Sequence, residues 1–415
     1  MTALESCTLS QTRRSLSALA YFLRRLLRFE SAWVLHIARF EDKVTLGLAL
    51  GFSGQMLDFV ALRQRELGSA ADGEWVTRSG RTLATFDAQA DTVALTGIAA
   101  FVVGANRELG QTVAWLRTCI DPLYDQPTLW ALDCVTRLLE EKSAMLATRG
   151  WHGGHCDCRL LTDDHAPAAL RQQDRCPPLL DQPRRPQELQ LGDAETPGPA
   201  VLVQSEAGQR QLVHYIYSEI EVAAAETCAR NIAEFGDGMP LQFVLDMARQ
   251  CADEARHAVM AEQMLAHYGG WLGEFNYRNR IWNAYIKGES LAERLAIEQV
   301  IGEGNGLDMS AHCMDLFKQH GLDRLLRYYE FLQADEIGHC AFGNRWIRYL
   351  VDGDEQRFTD VVASAARKTG SGVPGYAPVC VETRRAAGFS EQFIAQQLLK
   401  GAAGETASRA GLPGP

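Results

Sequence analysis

The feature that most limits what this chain can fold into is a carboxylate–histidine step that occurs twice inside stretches otherwise suited to buried helix. Glu254 and His257 sit in "FVLDMARQCADEARHAVMAEQML", and Glu336 and His339 sit in "ADEIGHCA". No other His of the ten has a Glu three positions before it. At this His content about one such pair is expected by chance, so a single match would carry little. The second match matters because each pair has a further Glu 33 residues upstream, Glu221 in "SEIEVAAAE" and Glu303 in "IGEGNGLD".

An i, i+3 spacing places Glu and His on one helix face. In an antiparallel hairpin, residues equidistant from the turn face each other. The first turn centres near Asp237–Gly238 and sets Glu221 opposite Glu254. The second centres near Gly321 and sets Glu303 roughly one turn from Glu336. Four carboxylates and two imidazoles are costly to bury without compensation. Around two divalent irons the same groups make a neutral site. Carboxylate and imidazole suit iron or manganese. One Glu from each of two helices, with Glu-x-x-His from each of two more, is the di-metal pattern of helical bundles. The expected ligands are therefore Glu221, Glu254, His257, Glu303, Glu336 and His339. They would hold two Fe ions, with Mn or a mixed Mn/Fe pair also compatible.

The surrounding periodicity is helical almost throughout. Apolar-periodic segments cover 15–29, 30–40, 41–67, 92–118 and 127–148, and read as a first bundle over 1–150 without a metal motif. Residues 151–204 are rich in Pro, Gly and Asp and read as an irregular linker. Four helices follow over 205–352. They run at about 208–235, from Pro240 to about 267, from a capping box "SLAE" at 290–293 to His320, and from Asp323 to about 351. Two hairpins joined by a long crossover make a ferritin-type bundle. The expected fold is all-α, a ferritin-like four-helix bundle with an additional N-terminal helical bundle. A C-terminal extension over 353–415 ends in a tail, "KGAAGETASRAGLPGP", expected to be disordered.

A net charge of −11 argues against a nucleic-acid backbone as partner. Eleven scattered cysteines fit a reduced compartment, and the N-terminus lacks the layout of a signal peptide. The most apolar run, 44–62, contains Ser53, Gln55 and Asp58, and reads as a buried bundle helix rather than a membrane span. A cytoplasmic protein without membrane partners is the expectation.

Several neighbouring groups are weighed against blander roles. Glu219, Glu226, Glu262 and Glu298 read as surface charges of amphipathic helices. Glu226 lies about 140° around the helix from Glu221 and cannot share its face. Tyr217 and His214 do share that face, as groups behind the ligands, as a third nitrogen ligand, or as a satisfied core pair. The glycines of "GEGNG" (302–306) are unfavourable in a helix interior. They fit a wide or unwound turn, a close approach by a substrate or another helix, or tight helix packing. "HGGHCDC" (152–158) has spacings too tight for a zinc finger and reads as a flexible loop.

The stretches "SEIEVAAAETCARNIAEF", "ADEARHAVMAEQML", "IGEGNGLD", "DEIGHCAFGNRW" and "ETRRAAGFSEQF" together resemble the uncharacterised ferritin-like family known as the domain of unknown function 455, over roughly residues 205–395. "DEARH" also resembles the DExRH motif of oxygen-activating di-iron monooxygenases and ribonucleotide reductase subunits. That likeness implies Asp253 and Asp335 as acceptors for His N–H groups. Gly338 departs from it, standing where the motif has Arg. The implied activity is that of a di-iron oxidase or oxygenase using O2 as co-substrate on a small organic molecule, by hydroxylation, desaturation or N-oxygenation. The rival expectations are iron or peroxide handling, and a helical interaction protein with a vestigial site. No GxGxxG, P-loop or Cys-ligated cluster is evident, so electrons would come from an external donor or reductase. A homodimer is expected.

Overall fold

A computed structural model of the chain describes residues 6–68, 75, 79–156, 158–162, 175–192, 195–370 and 378–399. Among them there is no β-strand, only an isolated bridge between Leu191 and Tyr277. The chain is all-helical, as its periodicity predicts. It forms two compact units. One joins Met1–Pro186 to Cys228–Ala255, and the other joins Gln187–Thr227 to Arg256–Pro415. Two helices, Val222–Phe235 and Leu241–His267, are each divided between these units.

The first unit is built on α1 (Leu9–Val34), α2 (Phe40–Glu66), α3 (Gly80–Gln89), α4 (Leu95–Cys119) and α5 (Gln126–Thr148). A capping box fixes the start of α1. Thr8 accepts from the Gln11 amide, and the Gln11 side chain accepts from the Thr8 amide. α1 runs on to Val34, so the apolar segment at 30–40 is not a helix of its own. α3 is not seen in the periodicity; Ser79 caps it by accepting from the Thr82 amide. Phe22, Phe29, Trp33, Phe86 and Phe101 form an aromatic core with centroid spacings of 5.1 to 6.4 Å. Such pairs add roughly 1 kcal/mol each beyond their buried area. Lys142 is fully buried and donates to Glu30 at 2.7 Å and Ser53 at 2.8 Å.

α2 passes the length and composition test for a membrane span, but 72% of its apolar window is buried inside the protein. One face explains how it is used. A Cβ at Gly47, Gly51 or Gly54 would lie 3.0, 2.3 or 2.9 Å from the Cβ of Ala255, Ala252 or Ala248. Small residues on both helices thus let α2 lie directly against the Cys228–Ala255 portion of the chain, which is why that portion joins the first unit.

The hairpins that carry the six expected ligands are built from α7 (Glu206–Tyr215), α8 (Val222–Phe235), α9 (Leu241–His267), α11 (Leu291–Leu295), α12 (Glu303–His320) and α13 (Asp323–Leu350). The short α6 (Pro199–Leu202) precedes them and α10 (Arg280–Tyr285) lies in the crossover. α7 and α8 are joined by a π turn, Ile216–Glu221, and α11 and α12 by another, Ala296–Gly302. Each ends at or next to the upstream Glu of its hairpin. The capping expectation at 290–293 holds in part. Ser290 accepts from the Glu293 amide, while the Glu293 carboxylate reaches the amide of Glu289 rather than that of Ser290. Asp323 is the first residue of α13 and gives no side-chain cap.

The C-terminal extension packs as α14 (Glu355–Thr369), α15 (Val381–Ala386) and a helical stretch at 391–399. Buried Arg384 on α15 pairs with Asp308 of α12 at 2.6 Å and lies over the Phe389 ring. The expected disordered tail lies outside the described residues.

Candidate metal centre

All six expected ligands come together. Glu221, Glu254, His257 and Glu336 each offer a ligand atom within 4.8 Å of the others, and so do Glu254, Glu303, Glu336 and His339. Glu254 and Glu336 belong to both groups, while each group has its own Glu and its own His. The His257 and His339 ring centroids are 6.0 Å apart. Five of the six side chains belong to buried residues, and Glu303 is of intermediate burial. This is a buried carboxylate–histidine cluster able to hold a metal ion.

The local chain explains the convergence. Glu254 and His257 are one turn apart on continuous helix α9, and Glu336 and His339 repeat that step on α13. Glu221 closes the first π turn, and Glu303 opens α12 directly after the second. π turns hold an extra residue in the helical repeat and recur at functional sites. Two of the three readings of "GEGNG" find support, the wide turn and the close approach: the π turn ends at Gly302, and a Cβ at Gly304 would sit 3.2 Å from Phe389 and 3.3 Å from Arg384.

The hydrogen bonds orient two of the ligands. His257 Nε2 lies 3.1 Å from Asp335 Oδ2, and its Nδ1 faces Glu221 at 3.3 Å and Glu336 at 3.7 Å. An ionised carboxylate only accepts, so His257 donates its Nε2 hydrogen to Asp335, and this contact turns Nδ1 toward Glu221 and Glu336. Burial raises the Asp335 carboxyl, but hydrogen bonds from His257 and Arg256, with the Arg256 charge, outweigh it and hold Asp335 well below the usual carboxylate range. Arg256 makes a short ion pair with Asp335. At the matching place in the other step Gly338 offers no side chain, and Asp253 accepts from Arg249, four residues earlier on its own helix, at 2.6 Å. The Cys340 thiol, pushed up by burial and then by the charges of Glu303 and Glu336, stays protonated.

Tyr328 is a participant the sequence reading missed. Its hydroxyl donates to Glu221 Oε1 at 3.1 Å. The available signal was its position eight residues before Glu336, two turns up the same helix. His214 lies outside both ligand groups. Its Nε2 accepts from the Gly273 amide at 3.0 Å, its Nδ1 is 3.4 Å from Ser218 Oγ, and its ring meets Phe275 edge-on. Burial pushes its pKa down to about 4 against the opposing charge of Glu274. Tyr217 is buried within the first π turn.

The surface-charge reading of Glu219, Glu226 and Glu298 is corrected: all three are buried. Glu262 is half-buried. Glu219 accepts from the backbone amides of Arg278 and Arg280, where Asn279 sits at φ 55°, and so fixes the entry to α10. Helical-wheel faces drawn at 100° per residue slip across each π turn, which misplaces acids close to them.

The fold and the site define an all-helical protein with a buried carboxylate–histidine cluster that could hold a metal ion. The chain belongs to the family described as "Protein of unknown function (DUF455)", whose model matches residues 147–395, more than half of the chain and all six ligand positions. The match begins well before residue 205. An uncharacterized protein of Haemophilus influenzae is 27% identical over 143 residues, 34% of this chain and 49% of that protein. The chain thus spans about half the length of that relative. No solved structure matches the chain.

Proposed function

We propose that this chain is a ferritin-like, non-haem di-iron oxidase or oxygenase that activates O2 to oxidise a small organic substrate, by hydroxylation, desaturation or N-oxygenation. The observation that carries the reading is the sharing of Glu254 and Glu336 between two four-residue groups, each with its own Glu and His. Two carboxylates common to two sites are what a closely spaced metal pair requires. Four carboxylates and two neutral imidazoles balance two divalent cations, and the buried setting makes that balance important.

The residues fit such a pair by their chemistry. Glu221, His257, Glu303 and His339 would serve one metal each, and Glu254 and Glu336 both. When bound, the irons supply the electrons and the open coordination positions that dioxygen needs. The remaining work belongs to the chain. Asp335 holds the His257 N–H and so keeps Nδ1 turned toward the carboxylates. Arg256 keeps Asp335 ionised for that task. The Tyr328 hydroxyl occupies one oxygen of Glu221 and fixes the direction of the other. Burial excludes bulk water and strengthens each of these contacts.

The test is anaerobic Fe(II) loading of the full chain, followed by metal analysis and stopped-flow absorbance on mixing with O2. The expected outcome is about two irons per chain, as the shared-ligand arrangement requires, with a transient absorbance that decays faster when a substrate is present. One iron or none, without an O2-dependent signal, overturns the proposal.

A further inference from the structure

Cys156 and Cys158 belong to the first unit and lie in the "HGGHCDC" stretch, where a flexible loop is the sequence-based expectation. The described residues of this stretch form no helix or strand, and both cysteines are buried. Cys156 is 4% exposed and Cys158 0%. Their sulfurs are 2.9 Å apart. A disulfide has an S–S bond of about 2.05 Å, so the sulfurs need to approach by only about 0.9 Å to bond.

The backbone on both sides is held so that the sulfurs stay together. Ser79 and Thr82, in the first turn of α3 and its cap, each donate to the Cys158 carbonyl at 2.9 Å. Arg107 of α4 donates to the Gly154 carbonyl at 3.0 Å, and the Arg159 amide donates to Glu108 of α4 at 3.0 Å. A Cβ at Gly104 of α4 would lie within 3.0 Å of the His155 and Cys156 backbone, so α4 touches the loop directly. Arg159 is kept in the left-handed region at φ 45°, a conformation that persists only where surrounding contacts enforce it. The flanking residues His155 and Arg159 are exposed, so the pair lies one residue beneath solvent. The Cys158 thiol is pushed up, first by its hydrogen bond to Cys156 and then by burial, and either sulfur can donate in their contact.

We propose that Cys156 and Cys158 form a redox-active dithiol that hydrogen peroxide converts into an intramolecular disulfide. Cys156 sulfur, as thiolate, attacks one peroxide oxygen. The O–O bond breaks, the proton released from Cys156 leaves with the departing oxygen as water, and Cys156 becomes a sulfenic acid. Cys158 sulfur then attacks Cys156 sulfur, and the sulfenic oxygen leaves as a second water with the Cys158 proton. Two thiols and one peroxide give one disulfide and two waters; the thiols lose two electrons and the peroxide gains them. A preset neighbouring thiol diverts the sulfenic acid to a disulfide before it climbs to irreversible states.

The experiment treats the reduced full-length protein with one equivalent of hydrogen peroxide, blocks remaining thiols with N-ethylmaleimide, and digests with trypsin. Cleavage after Arg149 and Arg159 places both cysteines on one peptide. The expected peptide is unlabelled and lighter by two hydrogens, and regains two labels after dithiothreitol. It forms at least about tenfold faster than oxidation at the other cysteines, in line with site-selective thiol reactivity. Cys158→Ser should leave Cys156 as a sulfenic acid trapped by dimedone. Two maleimide labels on the peptide after peroxide, or oxidation spread evenly over the eleven cysteines, overturns the proposal. Stoichiometric zinc released from the isolated protein when this peptide is labelled overturns it as well, since the thiols would then be metal ligands. The wild-type measurement decides the matter even if the variant does not fold.

Discussion

At the residue scale, the ligands divide into two kinds with different expected consequences. Glu254 and Glu336 belong to both four-residue groups, whereas Glu221, His257, Glu303 and His339 belong to one each. Glu336→Gln should therefore reduce Fe(II) or Mn(II) content from about two per chain to near none, while His339→Gln should leave about one. Equal losses from both variants, measured by metal analysis after desalting, would argue against shared carboxylates. Asp335→Asn keeps the shape but weakens the acceptor behind His257, and should lower metal affinity by about 10- to 100-fold. His214 carries a separate expectation. Its folded pKa of about 4 lies below the ordinary 6.5, so between these values the unfolded chain takes up a proton that the folded chain refuses. Stability is fully present above pH 6.5 and is lost as pH falls toward 4. The loss is of order 3 kcal/mol at most. Denaturant titrations at pH 6.5 and 4.5 should show a smaller difference for His214→Gln than for the wild type; identical differences would mean that the His214 ring is protonated without cost.

At the scale of elements, the glycine face of α2 decides how part of the molecule packs. Gly51 has the least room, because a new Cβ would fall 2.3 Å from Ala252 Cβ, an atom that cannot rotate away. Gly51→Ala should cost about 1–3 kcal/mol through overpacking. Gly110→Ala, on α4 with open space around it, should be neutral or stabilising by up to about 1 kcal/mol. Thermal denaturation of the pair separates steric conflict from the general effect of removing a glycine. The elements also show which parts of the structure were legible in the sequence. The six ligands could be found because the i, i+3 step and the 33-residue interval are local regularities that survive without knowledge of tertiary contacts. Buried Glu219 could not, since its partners are backbone amides 59 and 61 residues away, and a π turn shifts the phase of the wheel beside it. α3 is not visible in the periodicity because it has only ten residues and three buried positions, too few for a clear period. The buried Cys156–Cys158 pair was hidden for a related reason: its burial depends on α3 and α4 folding over a stretch whose own composition reads as loop.

At the scale of the whole molecule, the energetics of the cluster link metal binding to folding. Gathering four carboxylates in a buried site costs free energy through desolvation and mutual repulsion, and divalent cations relieve both costs only in the folded state, where the ligands converge. Binding to the native state alone stabilises by RT ln(1 + [M]/Kd), about 2.7 kcal/mol at a hundredfold excess over Kd. For a domain of this size each kcal/mol moves the midpoint by roughly 2–4 °C, so saturating Mn(II) should raise the melting temperature by several degrees over protein held in a chelator. The shift should vanish in Glu336→Gln and persist at reduced size in His339→Gln, because one ligand group stays complete in the latter. A rise of equal size in all three proteins would mean that the cation acts elsewhere on a surface carrying a net charge of −11. Screening separates the two cases further. Added monovalent salt weakens diffuse attraction to surface carboxylates but leaves a coordinated, buried ion largely unaffected, so the wild-type shift should survive 0.5 M potassium chloride, well beyond the range where ~10 Å screening already applies.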